Sequence, residues 1–321
     1  MKKQVYISSC VPEGGIYTYE ITQDKSLKQT AFLPLDRPMY TIAKNNRLYV
    51  LLRDPLRNGN SAFLSYEICT DGALENPTPL QSTLGTVGCH LCVDAENVYV
   101  TNYVSGSVFK APDVVITHEG CGPHPTRQEK AHTHFVTVTP DNRYLLVTDL
   151  GMDKIFVYDK HLKAVNSVDA PSGAGPRHLV FSEDGKLCYC ADELSSTVSV
   201  YRYENGSLTY LSSHSALPAD FKEQNTTAAI RYKDGYLYVS NRGHNSIVCF
   251  KAVGENLELQ SITDCGGVGP RDFILTDDLL ICTNENDGSV VLFEIENNTK
   301  LIKKQTVKVP AVLCATVVEV E

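Results

Sequence analysis

No run in this sequence approaches the ~18 consecutive apolar residues of a membrane-spanning helix. No block of Lys or Arg stands out either: 29 basic residues against 38 acidic ones leave a formal charge of −9. A chain of that sign repels phosphate backbones and anionic lipid, so neither nucleic acid nor a membrane is an expected partner. Segments of helical period are missing, which removes the helical classes. The start Met1-Lys2-Lys3 resembles the basic end of a signal peptide, but Ser8 and Ser9 break the apolar stretch behind it. Cys10 as a lipoprotein site lacks the apolar core that must precede it. A cytoplasmic location is the expectation.

What remains is globular composition: 321 residues, 42% hydrophobic and 21% charged. A chain this long can bury about three quarters of its unfolded surface and needs neither metal nor disulfide to hold a core. The eleven cysteines are an odd number, and Cys92, Cys188, Cys190, Cys249, Cys282 and Cys314 lie in apolar strand-like runs. They read as buried thiols of a reducing compartment, not as a disulfide framework.

One short pattern recurs seven times. Val-Tyr-Ile-Ser-Ser at 5–9 is followed by Leu-Tyr-Val-Leu-Leu at 48–52, Val-Tyr-Val-Thr-Asn at 98–102 and Leu-Leu-Val-Thr-Asp at 145–149. Cys-Tyr-Cys-Ala-Asp at 188–192, Leu-Tyr-Val-Ser-Asn at 237–241 and Leu-Ile-Cys-Thr-Asn at 280–284 complete the series. Its central residues, Ile7, Val50, Val100, Val147, Cys190, Val239 and Cys282, are 43, 50, 47, 43, 49 and 43 apart. A second alternating strand follows each run, and Asp-Gly and Asn-Gly turns punctuate the series. A period near 46 with about four strands per unit predicts an all-β, seven-bladed propeller of four-stranded antiparallel blades, one domain over 1–321. The first run has no strand before it, and the chain ends on an unassigned one, Ala311–Val318. That final strand is expected to complete the first blade and close the ring.

In such a blade the start of the innermost strand and the end of the second lie on one face. Strand starts place Cys89, His90, His132, His134, Arg177, His178, Arg271 and Asp272 there; strand ends place Arg53, Asn102, Tyr103, Asp149, Asp192, Glu193, Asn241, Arg242, Asn284 and Glu285. A basic and polar ring around a channel mouth suits a small anion. Gly-x-Gly-Pro-Arg occurs at 173–177 and 267–271, each Pro fixing the backbone before an Arg whose planar fork matches carboxylate or phosphate. The alternative role for these Arg residues is to tie blades together. A histidine of His132-Thr133-His134 can serve as general acid or base, as a hydrogen-bonded brace, or with Asp149 or Glu193 as a zinc ligand. No firm ligand set appears, so no metal or cofactor is expected. Alternating strand faces divide Cys89-His90-Leu91-Cys92, and it reads as core. Glu193 can activate water or pair with Arg177 or Arg242. Neither a phosphate-binding Gly-rich loop before a helix nor a Gly-x-Ser-x-Gly elbow is present.

Arg127-Gln-Glu-Lys-Ala-His-Thr-His134, Thr139-Pro-Asp-Asn-Arg-Tyr144 and Asp149-Leu-Gly151 resemble the lactonase family of seven-bladed propellers. So do Gly173-Ala-Gly-Pro-Arg-His178, Asp192-Glu-Leu194 and Gly269-Pro-Arg271. The family includes bacterial propeller-type 6-phosphogluconolactonases and fungal carboxy-muconate cyclases. The resemblance implies metal-independent hydrolysis of a small anionic sugar-acid lactone, 6-phospho-D-glucono-1,5-lactone first among them, by a monomer or weak homodimer. It maps the catalytic set onto His134, Glu193, Arg177 and Arg242. His132, His178, Arg271, Asn102, Asp149 and Asn284 are the candidate substrate contacts around that set. A cycloisomerase of muconate-like diacids and a non-catalytic binding propeller are the alternatives. Two departures from the family pattern stand out: Thr226-Thr227-Ala228-Ala229 where relatives carry a polar or charged residue, and a short, unclear inner strand near Met39-Tyr40.

Overall fold

The computed structural model describes residues 2–95 and 97–320. These form seven antiparallel sheets and no helix. Val, Ile, Tyr and Thr crowd the recurrent runs because branched and aromatic side chains pack well on a pleated surface. Each run becomes the second strand of a blade, as in Val98–Asn102, Leu187–Asp192 and Leu279–Asn284.

Blades three to seven consist of four consecutive strands each. In blade one the C-terminal strand Val312–Val320 pairs with Lys2–Ser9 and takes the innermost place. The ring therefore closes as the unassigned terminal strand predicts. In blade two the unclear inner strand is a full one, Pro38–Lys44. Its outermost strand comes in two pieces, Leu74–Glu75 and Gln81–Thr86, both paired to Asn60–Ile68. Pro77 and Pro79 fall in the gap, where a missing amide donor interrupts a ladder.

The core is distributed around the ring. Clusters of buried side chains join neighbouring blades around the whole ring; one couples Val5 and Ile7 to Ile281 and Val290, another couples Leu146 and Ile155 to Leu179 and Tyr201. The tyrosines of the recurrent runs also reach across: Tyr6, Tyr99 and Tyr238 donate to the carbonyls of Gly72, Lys160 and Asn298 on the next blade, at 2.8, 3.0 and 2.7 Å. All eleven cysteines are free thiols, and the six expected in the core are buried.

Candidate functional site

Every innermost strand breaks its pairing by one residue at the same end. Pro38 faces Leu52 and Tyr40 faces Leu51, so Met39 has no counterpart. The same slip isolates Cys89, His134, Arg177 and Arg271 in blades three, four, five and seven. Blade six slips between Thr227 and Ile230, and blade one between Ile7 and Ser9. A bulge bends its strand and re-aims the extra side chain. Met39, Cys89, His134 and Arg271 accordingly line one cleft of about 280 Å³, with Arg53, Val87, Tyr103, Arg127, Glu193 and Arg242. Arg177, His178 and Leu313 line a small hollow that shares Met39, Cys89 and Arg271 with it.

Glu193 organises one wall. Its carboxylate accepts from Arg177 Nε at 2.9 Å, lies 2.8 Å from an Arg242 guanidinium nitrogen, and also pairs with Arg127. Burial alone raises this carboxyl, but Arg242 and Arg177, with Arg127 behind them, hold it far below the usual carboxylate range. It is therefore an anion at any working pH and a weak proton acceptor. Arg177 is 2% exposed and also donates to the Ala228 carbonyl at 2.8 Å, which crosses to blade six. Burial, then Arg242, pulls its guanidinium down from the usual value. Arg242 donates to the Thr227 carbonyl at 3.2 Å, while its buried Nε has no partner.

The two Gly-x-Gly-Pro-Arg segments build the same device twice. The amide of Glu193 donates to the Gly175 carbonyl at 2.7 Å, and that of Glu285 to the Gly269 carbonyl at 2.9 Å. Each Arg then meets the Glu of its own blade, Arg271 reaching Glu285 at 3.0 Å. Gly175 and Gly269 have φ of +64° and +75°, and a Cβ there would sit 2.6 Å from Leu194 or 2.8 Å from Asn286. Only glycine fits both the backbone and the space.

His90, His134 and His178 meet edge to face in the channel, with ring centroids 5.3 Å apart for His134 and His178 and 5.7 Å for His90 and His178. All three are buried, and Nδ1 of His134 and of His178 has no hydrogen-bond partner. Burial pushes each imidazole well below the ordinary 6.5, and the positive charge of Arg177 pushes in the same direction. His134 is thus a neutral imidazole on the cleft wall with a free Nδ1, and in the empty site the same effects make it a weak base.

The other expected contacts occupy different places. His132 stacks on Tyr103 with centroids 4.4 Å apart and meets the Tyr103 carbonyl and Glu129 at 3.0 and 3.2 Å. Tyr103 in turn stands edge-on to His134. Asp149 is fully buried, accepting from the His132 and Gly151 amides and pairing with His118 at 2.7 Å. Asn102 and Asn284 are fully buried too, and donate to Ser107 and Ser289, which open the next strand, at 3.2 and 3.1 Å. Asn241 repeats this bond to Ser246 at 3.3 Å. The three asparagines latch hairpins, and neither they nor His132 and Asp149 line the cleft. His132 and His134 do not converge, and among the described residues no group of three or more His, Cys, Asp or Glu could hold a metal ion.

Sequence reasoning left three wall residues without a role, Met39, Val87 and Arg127. Met39 sits at a bulge that hydrophobic alternation cannot reveal. Arg127 lies on the long connection between blades three and four; it opens a stretch that carries the family resemblance, but its place on the wall shows only in its pairing with Glu193.

The family model for the lactonase seven-bladed β-propeller matches residues 4–317. An uncharacterized protein of Staphylococcus aureus strain USA300 is 33% identical, covering 92% of this chain and 93% of its own. The periplasmic gluconolactonase of Pseudomonas aeruginosa superposes with a TM-score of 0.92 at 25% identity, covering 100% of both chains. A Bacteroides fragilis protein provisionally assigned as a 6-phosphogluconolactonase superposes with a TM-score of 0.89 at 24% identity, covering 99% of this chain and 98% of its own. At that identity the last match speaks for the fold alone.

Proposed function

The chain belongs to the lactonase family of seven-bladed β-propellers, and on that premise we propose that it hydrolyses an anionic sugar-acid lactone, 6-phospho-D-glucono-1,5-lactone before others. The observation that carries this reading is the charge of the cleft. Five guanidiniums, Arg53, Arg127, Arg177, Arg242 and Arg271, meet three carboxylates, Glu193, Asp272 and Glu285, in a protein of formal charge −9. An anion gains from that surplus, and the apolar Met39 and Val87 beside it keep the field strong by excluding water.

In this mechanism Arg242 polarises the lactone carbonyl and stabilises the oxyanion that forms on it. His134 takes a proton from the attacking water as the water oxygen bonds to the carbonyl carbon. The tetrahedral species collapses, the ring C–O bond breaks, and His134 returns the proton to the departing ring oxygen. Glu193 stays ionised throughout and holds Arg127, Arg177 and Arg242 in place. Burial is the first cause that depresses His134; a bound anion partly neutralises the guanidiniums that add to it, which favours proton uptake when the site is filled.

The test follows the conversion of freshly prepared 6-phosphogluconolactone in ¹⁸O-labelled water, at enzyme concentrations where catalysis outruns spontaneous opening. The proposal expects enzyme-dependent 6-phosphogluconate carrying one labelled carboxylate oxygen. A product of unchanged mass would indicate isomerisation, and no rate above the spontaneous one would remove the hydrolase reading for this lactone.

A further inference from the structure

The five guanidiniums of the mouth are not equally available. Arg127, Arg177 and Arg242 converge on Glu193. Arg271 makes one contact, with Glu285. Among the described residues no carboxylate lies within 4.0 Å of the Arg53 guanidinium, which is exposed although its backbone is fixed. The Arg53 amide donates to the Arg37 carbonyl at 3.1 Å, and its own carbonyl accepts from the Ser61 hydroxyl at 2.7 Å.

Ring order then sets direction. Arg53 directly follows the second strand of blade two, Arg47–Leu52, and Arg271 sits at the bulge of blade seven. Those blades flank blade one, which among the described residues brings the apolar Leu313 to the mouth and no charged group. His134 and Glu193 belong to blades four and five, on the far side of a seven-membered ring. The fields of Arg53 and Arg271 also overlap at one point: burial raises the Cys10 thiol, and both guanidiniums pull it back.

We propose that Arg53 and Arg271 form a phosphate seat across the mouth from the wall of His134, Glu193 and Arg242, which would make the enzyme selective for a lactone phosphorylated at the end remote from its carbonyl. The proposal rests on the lactone-hydrolase reading. Two planar forks with unused N–H donors match a tetrahedral anion. A substrate spanning the cleft then sets its carbonyl at Arg242 and His134 while its anion is held on blades two and seven. Arg53 acts as a specificity residue: it binds ground state and transition state alike, so its loss falls on KM and not on kcat.

The experiment compares wild type, Arg53→Ala and Arg53→Lys on 6-phosphogluconolactone and on unphosphorylated glucono-1,5-lactone. In Arg53→Ala the ratio of kcat/KM for the phosphorylated over the plain lactone should fall about tenfold, through KM, the size of one lost charge-assisted pair. Arg53→Lys should recover part of it. An unchanged ratio, or equal losses on both lactones, would overturn the seat. If wild type opens neither lactone, the hydrolase reading fails by itself. The seat is then read by calorimetric binding of 6-phosphogluconate against gluconate, where Arg53→Ala should weaken only the phosphorylated acid, and equal binding to both proteins would overturn it.

Discussion

Three guanidiniums share one buried carboxylate at Glu193, and the charge balance of the site depends on it. In Glu193→Gln those cations face one another without a counter-charge in a site that excludes water. Removing one partner of a buried pair is strongly destabilising, so unfolding free energy should drop by about 3 kcal/mol or more. A denaturant titration checks this, and a loss below 1 kcal/mol would mean that the cluster relaxes into solvent. The histidine cluster makes a second prediction. His90, His134 and His178 are held neutral in the fold, so below the ordinary 6.5 the unfolded chain binds protons that the native state refuses. Stability should therefore fall as pH drops from 8 to 5, by up to about 1.4 kcal/mol per pH unit for each imidazole. Asp192, raised to about 6 by burial, offsets one of these protons below that pH. A flat profile would show that the imidazoles titrate freely. Arg177, Glu193 and Arg242 were legible in the sequence because each stands where an apolar run meets a polar end. The threefold engagement of Glu193, and the lack among the described residues of a carboxylate beside the Arg53 guanidinium, were not, since both depend on where connections from different blades arrive.

At the scale of the strand, the polar ends of the recurrent runs divide into two kinds that look alike in the sequence. Asn102, Asn241 and Asn284 turn into the blade and bind the serine five positions on, where the next strand begins. The residues after them, Arg242 and Glu285, reach the mouth. That alternation follows from the pleat, and it explains why a list of strand ends mixes latches with site residues. Asn241→Ala should cost about 2 kcal/mol, because the Ala216 carbonyl loses its partner inside the fold and the Asn225 amide loses one of its two acceptors. Thermal unfolding reads this directly, and an unchanged midpoint would contradict the latch. The bulges escaped sequence reasoning for a physical reason. One extra residue in an innermost strand leaves hydrophobic alternation intact on either side, so only the register shows that Met39, Cys89, His134, Arg177 and Arg271 are aimed differently from their neighbours.

For the whole molecule, a period near 46 and an unassigned last strand were enough to predict the closed ring, because no blade can bury its faces alone. Interblade clusters carry the core, and the one between blades seven and one depends on Val312 and Ala315 of the closing strand. Deleting residues 311–321 should therefore expose an edge along Lys2–Ser9 and yield aggregated or protease-sensitive protein, whereas a soluble ring of native thermal stability would contradict closure. The same ring brings arginines from blades two, five, six and seven to one mouth, and a surplus of positive charge on an acidic protein is the basis of the functional account. The most direct test is the initial rate of 6-phosphogluconolactone opening above the spontaneous rate, measured through coupled 6-phosphogluconate dehydrogenase for wild type and His134→Ala in parallel. The account predicts clear acceleration by wild type and a loss of about a hundredfold or more in the variant, the contribution of a positioned proton acceptor. Equal rates for the two proteins would contradict it.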